Sequence, residues 1–180
     1  MSNIFITDQD PRECADILSD QHIRSQLGTT ARTLVAALRE RGITGPMLPP
    51  TKMESPFSQW AAKGWDNFMW LSFHGIALTE EYHRRFDAIP PTSAPVLVAG
   101  QIGHLMSGGV FDFPMNWPWS DAAKRHAKSG SVFSAYQNAL RDKYETWCEE
   151  GEMPTWTNAY PPSWLADTGE VLLWTDDLSS

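Results

Sequence analysis

The chain has 180 residues, 42% hydrophobic and 20% charged, with nine Trp, eight Phe and four Tyr. Such a composition can bury a core, which excludes a disordered or low-complexity chain, and the length makes one domain the expectation. Net charge is −8, but residues 141–180 hold a balance of −7 and residues 1–140 only −1, so charge neither requires nor excludes a nucleic-acid partner.

Asn3-Ile-Phe-Ile-Thr7 reads as a strand or as an extended segment tucked against the core. Asp8 and Asp10 before Pro11 read as an N-cap and a first-turn proline, opening a short helix with Cys14, Ile17 and Leu18 on its apolar side. Ile23, Leu27, Ala31, Leu34 and Leu38 recur every three or four residues and predict a second helix from about Asp20 to Glu40. Along it, Arg24, Arg32 and Arg39 form a stripe that either meets phosphates or is a solvated face. Gly42 ends this helix, and Gly45, Pro46, Pro49 and Pro50 make a loop.

Pro56 opens a third helical stretch reaching Phe86, with a bend expected near Gly64 or Gly75. Residues 87–119 are rich in Pro and Gly and predict a long ordered loop with little regular structure. A fourth helix is predicted from Ser131 to about Glu149. Beyond it, Pro154, Trp156, Pro161, Pro162, Trp164 and Trp174 predict a tail, 158–180, that wraps the body formed by residues 1–157 and uses aromatics as staples. The fold class is mainly α, a compact single helical domain. Cys14 and Cys148 cannot build a disulfide framework and point to a reducing compartment. No apolar run approaches the roughly 18 residues of a membrane span, and no signal segment opens the chain. A soluble protein of the cytoplasm, with no membrane partner, is expected.

Phosphate-loop, dinucleotide, zinc and serine-hydrolase motifs are absent from the sequence. Several short blocks do occur in a telling order: Asn3-Ile-Phe-Ile-Thr-Asp-Gln-Asp-Pro11, Asp20-Gln-His22, Pro56-x-x-x-Trp60 with Asn67-Phe-x-Trp70-Leu71, Glu81-Tyr-x-x-Arg85-Phe86, Phe113-Pro-Met, Ala135-Tyr136 and Met153-Pro-Thr-Trp156. Together they resemble a group of phage and bacterial proteins similar to the pyrimidine-dimer DNA glycosylase, endonuclease V, of T-even phages. That resemblance implies a compact helical scaffold acting on a base of double-stranded DNA in an infected bacterial cell. Related clades act in thymine hypermodification, where an amine or amino acid displaces pyrophosphate from an activated 5-hydroxymethyluracil.

The departures from that pattern matter as much. The glycosylases use an N-terminal amine, here Ser2 after methionine removal, and a glutamate seven residues past the helix-head histidine. Seven past His22 is Thr29, which cannot act as that carboxylate. Ser55 stands where the relatives have His, and Gln137 where they have Arg. A kept scaffold with an altered polar centre implies transfer chemistry, with base excision or a catalytically inactive DNA-binding module as alternatives.

The candidate residues follow from this. His22 with Asp20 forms an acid–base pair or a phosphate site at a helix head, or else Asp20 only caps the helix. Thr29 hydrogen-bonds a base or phosphate, or packs. Glu81 and Arg85, at i,i+4, are either an ordinary salt bridge or a base for the amine and a clamp for pyrophosphate. Trp60, Asn67 and Trp70 share a helical face that is either core or a platform for an everted base, which Tyr136 and Gln137 would complete. A divalent ion at the pyrophosphate fits the chemistry, although the sequence offers no ligand cluster for it.

Overall fold

The computed structural model describes residues 3–45, 55–106, 108, 113 and 116–166. The expectations for Ser2, for Pro46, Pro49 and Pro50, for Pro114 and Met115, and for the tail from 167 onward with Trp174 lie outside the described residues. The described elements are helices α1 (Pro11–Asp16), α2 (Asp20–Glu40), α3 (Pro56–Ala62), α4 (Trp65–Phe86), α5 (Ser93–Ile102), α6 (Asp121–Lys124), α7 (Val132–Glu149) and α8 (Ser163–Ala166), with a 3-10 turn at Gly103–Leu105. No strand occurs among the described residues, and no helix among them is long and apolar enough to cross a membrane. Asn3–Thr7 is extended, with Ile4, Phe5 and Ile6 buried.

Helix α1 begins as the sequence implies: Asp10 accepts from the Arg12 amide at 2.8 Å and Pro11 occupies the first turn. Helix α2 has the predicted bounds, but Ser19 caps it and Asp20 does not. Ser19 has extended backbone, so its hydroxyl reaches back to the His22 amide, while Asp20 is already helical and turns elsewhere. The break in the third stretch falls at Gly64, which separates α3 from α4 with extended backbone. Gly75 stays inside α4 and has a packing role. A Cβ there would lie 2.8 Å from Val96 Cγ1 of α5 and 3.2 Å from Thr30 Cγ2 of α2, so its absence lets three helices meet.

The expected long loop over 87–119 is corrected by α5 and the 3-10 turn that follows it. Pro95 sits in the first turn of α5, where its missing N–H has no helical partner to lose, and Gly100 and Gly103 face Ile76 and Met69 of α4. Pro and Gly there mark close helix packing instead of irregular chain. The core lies between α2 and α4, roofed by α3 and α5 and floored by α1. Residues 155–166 pack on the same body: Trp156 Nε1 donates to Ile17 O at 3.1 Å, Leu165 is buried, and Trp164 stacks by Arg141.

Candidate functional site

The head of α2 sends its first residues in two directions. Asp20 faces the tail and α4, where its carboxylate accepts from Thr155 Oγ1 at 2.9 Å, from Thr157 N and Oγ1 at 3.0 and 2.7 Å, and from Arg85 Nη1 at 3.2 Å. Burial disfavours the charged carboxylate, but the hydrogen bonds from Thr157, Thr155 and Arg85 outweigh it and hold the group below the usual range. Arg85 is buried with each of its donor groups in use: Nε to Glu81 at 3.0 Å, Nη1 to Leu18 O at 2.7 Å and Asp20, and Nη2 to Asp16 O at 2.7 Å. It ties the end of α1 and the head of α2 to α4.

His22 points the other way. Its Nδ1 lies 3.0 Å from Tyr144 Oη and 3.2 Å from Ser19 Oγ, and its ring stacks on Trp147 with centroids 4.9 Å apart. Burial, with the Lys143 charge adding to it, pushes the imidazole down to about 3, so it is neutral at ordinary pH. Its Nε2 is buried without a hydrogen-bond partner in the protein.

His22 lines a cleft of about 540 Å³. One wall is a face of α2, His22, Ser25, Gln26 and Thr29, residues three and four apart. The opposite wall is the α7 face of Ala139, Asp142, Lys143, Thr146 and Trp147, with Glu150 at the cap that follows it. Asn3 and Phe5 of the extended segment line it too, as do Ala122 of α6 and Arg125 at the cap that follows α6. Gln26 Nε2 donates to Asn3 O at 2.8 Å, which leaves Gln26 Oε1 unpartnered; Asn3 Oδ1 is unpartnered as well. Three buried orphans of this kind on one cleft are unusual, since each costs about 1–3 kcal/mol if left unpaired.

Comparison with protein-family models, curated proteins and solved structures gave no match. The cleft is therefore read from its own chemistry. Arg125 and Lys143 supply positive charge, with the Lys143 ammonium 5.2 Å from the Trp147 ring and 5.8 Å from Phe5; partial burial draws its pKa down. Asp142 supplies a carboxylate, paired with His126 Nε2 at 2.7 Å. Among the described residues no group of three or more His, Cys, Asp or Glu is placed to hold a metal ion.

Of the residues singled out from sequence, the structure brings His22 and Thr29 to the cleft. Thr29 Oγ1 donates to Ser25 O at 3.2 Å. Asp20 does not pair with His22, because residues two apart on a helix diverge. Glu81 and Arg85 sit in the ion cluster with Asp20 and do not line the cleft. Trp60, Asn67 and Trp70 do not share one helical face, because Gly64 puts Trp60 on α3 and the other two on α4. All three are core. Asn67 Nδ2 donates to Trp60 O at 3.1 Å, Trp70 Nε1 to Gln9 O at 2.9 Å, and the rings pack with Phe113 and Trp117, leaving no exposed platform for a base.

Tyr136 is fully buried, accepting from Trp117 Nε1 and the Ser120 amide, and Gln137 Nε2 donates to Thr7 O at 3.0 Å. Ser55 caps α3 in a reciprocal pair with Ser58. Arg24 is exposed and lies 4.3 Å over the Phe86 ring, Arg32 is exposed, and neither lines the cleft. What sequence reasoning missed is Asn3, Gln26, Arg125, Asp142 and Lys143. The basic run Lys124-Arg125-His126-x-Lys128 was the one local signal that pointed there.

Proposed function

We propose that the protein is a phage DNA base-modifying enzyme that holds an everted 5-substituted uracil in the α2–α7 cleft and transfers an amine or amino acid to it. The observation that carries the reading is that three residues lining one cleft, His22, Gln26 and Asn3, each keep a buried polar atom without a partner, and that Arg125 and Lys143 line the same cleft. Such a set suits a flat polar ring attached to an anion better than it suits an apolar ligand. The co-substrate amine attacks the 5-methylene carbon of the activated base. The carbon–oxygen bond to pyrophosphate breaks, and pyrophosphate departs with the electron pair. The attacking nitrogen loses a proton, for which Asp142 and Glu150 are the carboxylates on the wall. Arg125 and Lys143 hold the leaving group, and a divalent ion accompanying pyrophosphate would arrive with the substrate.

The test is nucleoside mass spectrometry after incubation with DNA containing pyrophosphorylated 5-hydroxymethyluracil and a mixture of amino acids and polyamines. A heavier nucleoside that is lost with Lys143→Ala is the expected result; unchanged DNA with every donor overturns the reading.

Asn3 favours a second reading. It lines the cleft, so the extended segment that the resemblance ties to an N-terminal amine forms one wall, and base excision with lyase activity is the alternative use of the same cleft. Borohydride trapping of a covalent protein–DNA adduct separates the two, and its absence removes this one.

A further inference from the structure

The hydrogen bonds behind His22 determine which nitrogen carries its proton. Tyr144 Oη already accepts from the Ser19 amide at 3.2 Å, so its own hydrogen needs an acceptor, and His22 Nδ1 lies 3.0 Å away. Ser19 Oγ, the other neighbour of Nδ1, accepts from the His22 amide at 3.4 Å and likewise has a hydrogen to give. A proton on Nδ1 would leave two buried hydroxyl hydrogens without this acceptor; a lone pair there takes one of them, from the nearer Tyr144. The phenol keeps its proton, since burial pushes Tyr144 up to about 12. The neutral ring therefore carries its hydrogen on Nε2, the buried nitrogen left without a partner on a residue that lines the cleft.

One turn further along α2, Gln26 is oriented just as firmly. Its amide nitrogen is spent on Asn3 O, so the carbonyl oxygen is the end left over. The i,i+4 spacing places the two side chains on one face of the helix, and both line the cleft, so that face carries one fixed N–H donor and one fixed C=O acceptor.

We propose that His22 Nε2–H and Gln26 Oε1 form a reader for a ring lactam edge, His22 donating to the carbonyl oxygen and Gln26 accepting from the adjacent ring N–H of a uracil-class base, with Tyr144 as the positioning residue. This rests on the base-binding reading of the cleft and adds to it the atoms that recognise the substrate. Neither an apolar ring nor a base alkylated on that nitrogen satisfies both groups, because a buried donor and acceptor would remain unpaired.

The experiment uses the full chain and two probes, 5-hydroxymethyl-dUMP and its N3-methyl derivative. Nitrogen-15 spectra of the free protein are expected to show the His22 proton on Nε2; a proton on Nδ1 overturns the inference. NMR titration is expected to show the unmethylated nucleotide binding about tenfold more tightly, the scale of one net hydrogen bond. Equal binding of the two, or no shift from either at millimolar concentration, overturns it. Gln26→Ala is expected to abolish the difference between the probes, and Tyr144→Phe to move the His22 nitrogen shifts and weaken the unmethylated probe. Thermal melts of both variants confirm that they are folded. A correct tautomer and probe preference without any nucleoside product would leave the edge reader standing and remove the transfer reaction; product formation without probe preference would do the reverse.

Discussion

Asp20 and His22 stand two residues apart at the head of the same helix, yet they belong to opposite kinds of environment. On the Asp20 side each donor group of Arg85 is matched and the carboxylate gathers hydroxyl, amide and guanidinium partners. On the His22 side the neighbouring amides and the imidazole keep buried atoms without partners, next to lysine and arginine. A folded chain tolerates unsatisfied buried groups only where they are few, and clustered orphans are the mark of a surface shaped for something other than its own stability. The contrast teaches that neighbouring motif residues on one helix can differ completely in how their polar groups are satisfied, and that only the His22 side combines unpartnered atoms with a charged cleft among the described residues.

The most disruptive way to test this contrast is Arg85→Met. It leaves Asp20 buried without its cation, takes from Glu81 one of its two arginine partners, and releases Asp16 O and Leu18 O, so a loss of about 3–5 kcal/mol is expected in chemical denaturation. Gly75→Ala comes next. Its methyl would meet Val96 at 2.8 Å, and α2, α4 and α5 would have to part, at about 1–3 kcal/mol by the same measurement.

Acid sharpens the comparison further. Burial pushes His22 to about 3 and His74 to about 4, both below the unfolded value of roughly 6.5. Between those values the unfolded chain binds more protons, so stability rises with pH and falls as pH drops from about 6.5 towards 4, by roughly 1.4 kcal/mol per unit for each histidine. Denaturation midpoints measured across that window should lose about half of this slope in His22→Gln. The smallest effect on stability is expected from Lys143→Ala, an exposed position, within about 0.5 kcal/mol. Nucleoside product formation by that variant should nonetheless fall by at least about tenfold, as loss of a charged contact to the leaving group implies.

Much of the scaffold was legible in the sequence because its signals are local. The spacing of Ile23, Leu27, Leu34 and Leu38, with Gly42 after it, is enough to place α2, and Pro11 after Asp10 is enough to start α1. Helix α5 was not legible, since Pro95, Gly100 and Gly103 look like loop residues until α4 is laid against them. The site divides in the same way. His22 and Thr29 lie on one face of one helix, so their joint appearance at the cleft needed only helical spacing. Gln26 shares that face but became informative only once Asn3 O had claimed its amide nitrogen, a contact across 23 residues. Trp60 and Trp70 misled because an aromatic at helical spacing shows that a face is apolar without showing whether it faces a ligand or the interior.

The clasp between Asp20 and the segment at 155–157 has a consequence for the order in which the molecule assembles. Its hydrogen bonds join residues 135 and 137 positions apart, so the head of α2 cannot close while the chain is still emerging from the ribosome short of Thr157. Until then Tyr144 lacks the Trp156 ring that meets it at 5.5 Å, and the Asp20 carboxylate lacks the hydroxyl and amide partners supplied by Thr155 and Thr157. Closure at such sequence separation is entropically slow, so this clasp forms after the local helix contacts, and until it does the head of α2 keeps polar groups that water must satisfy.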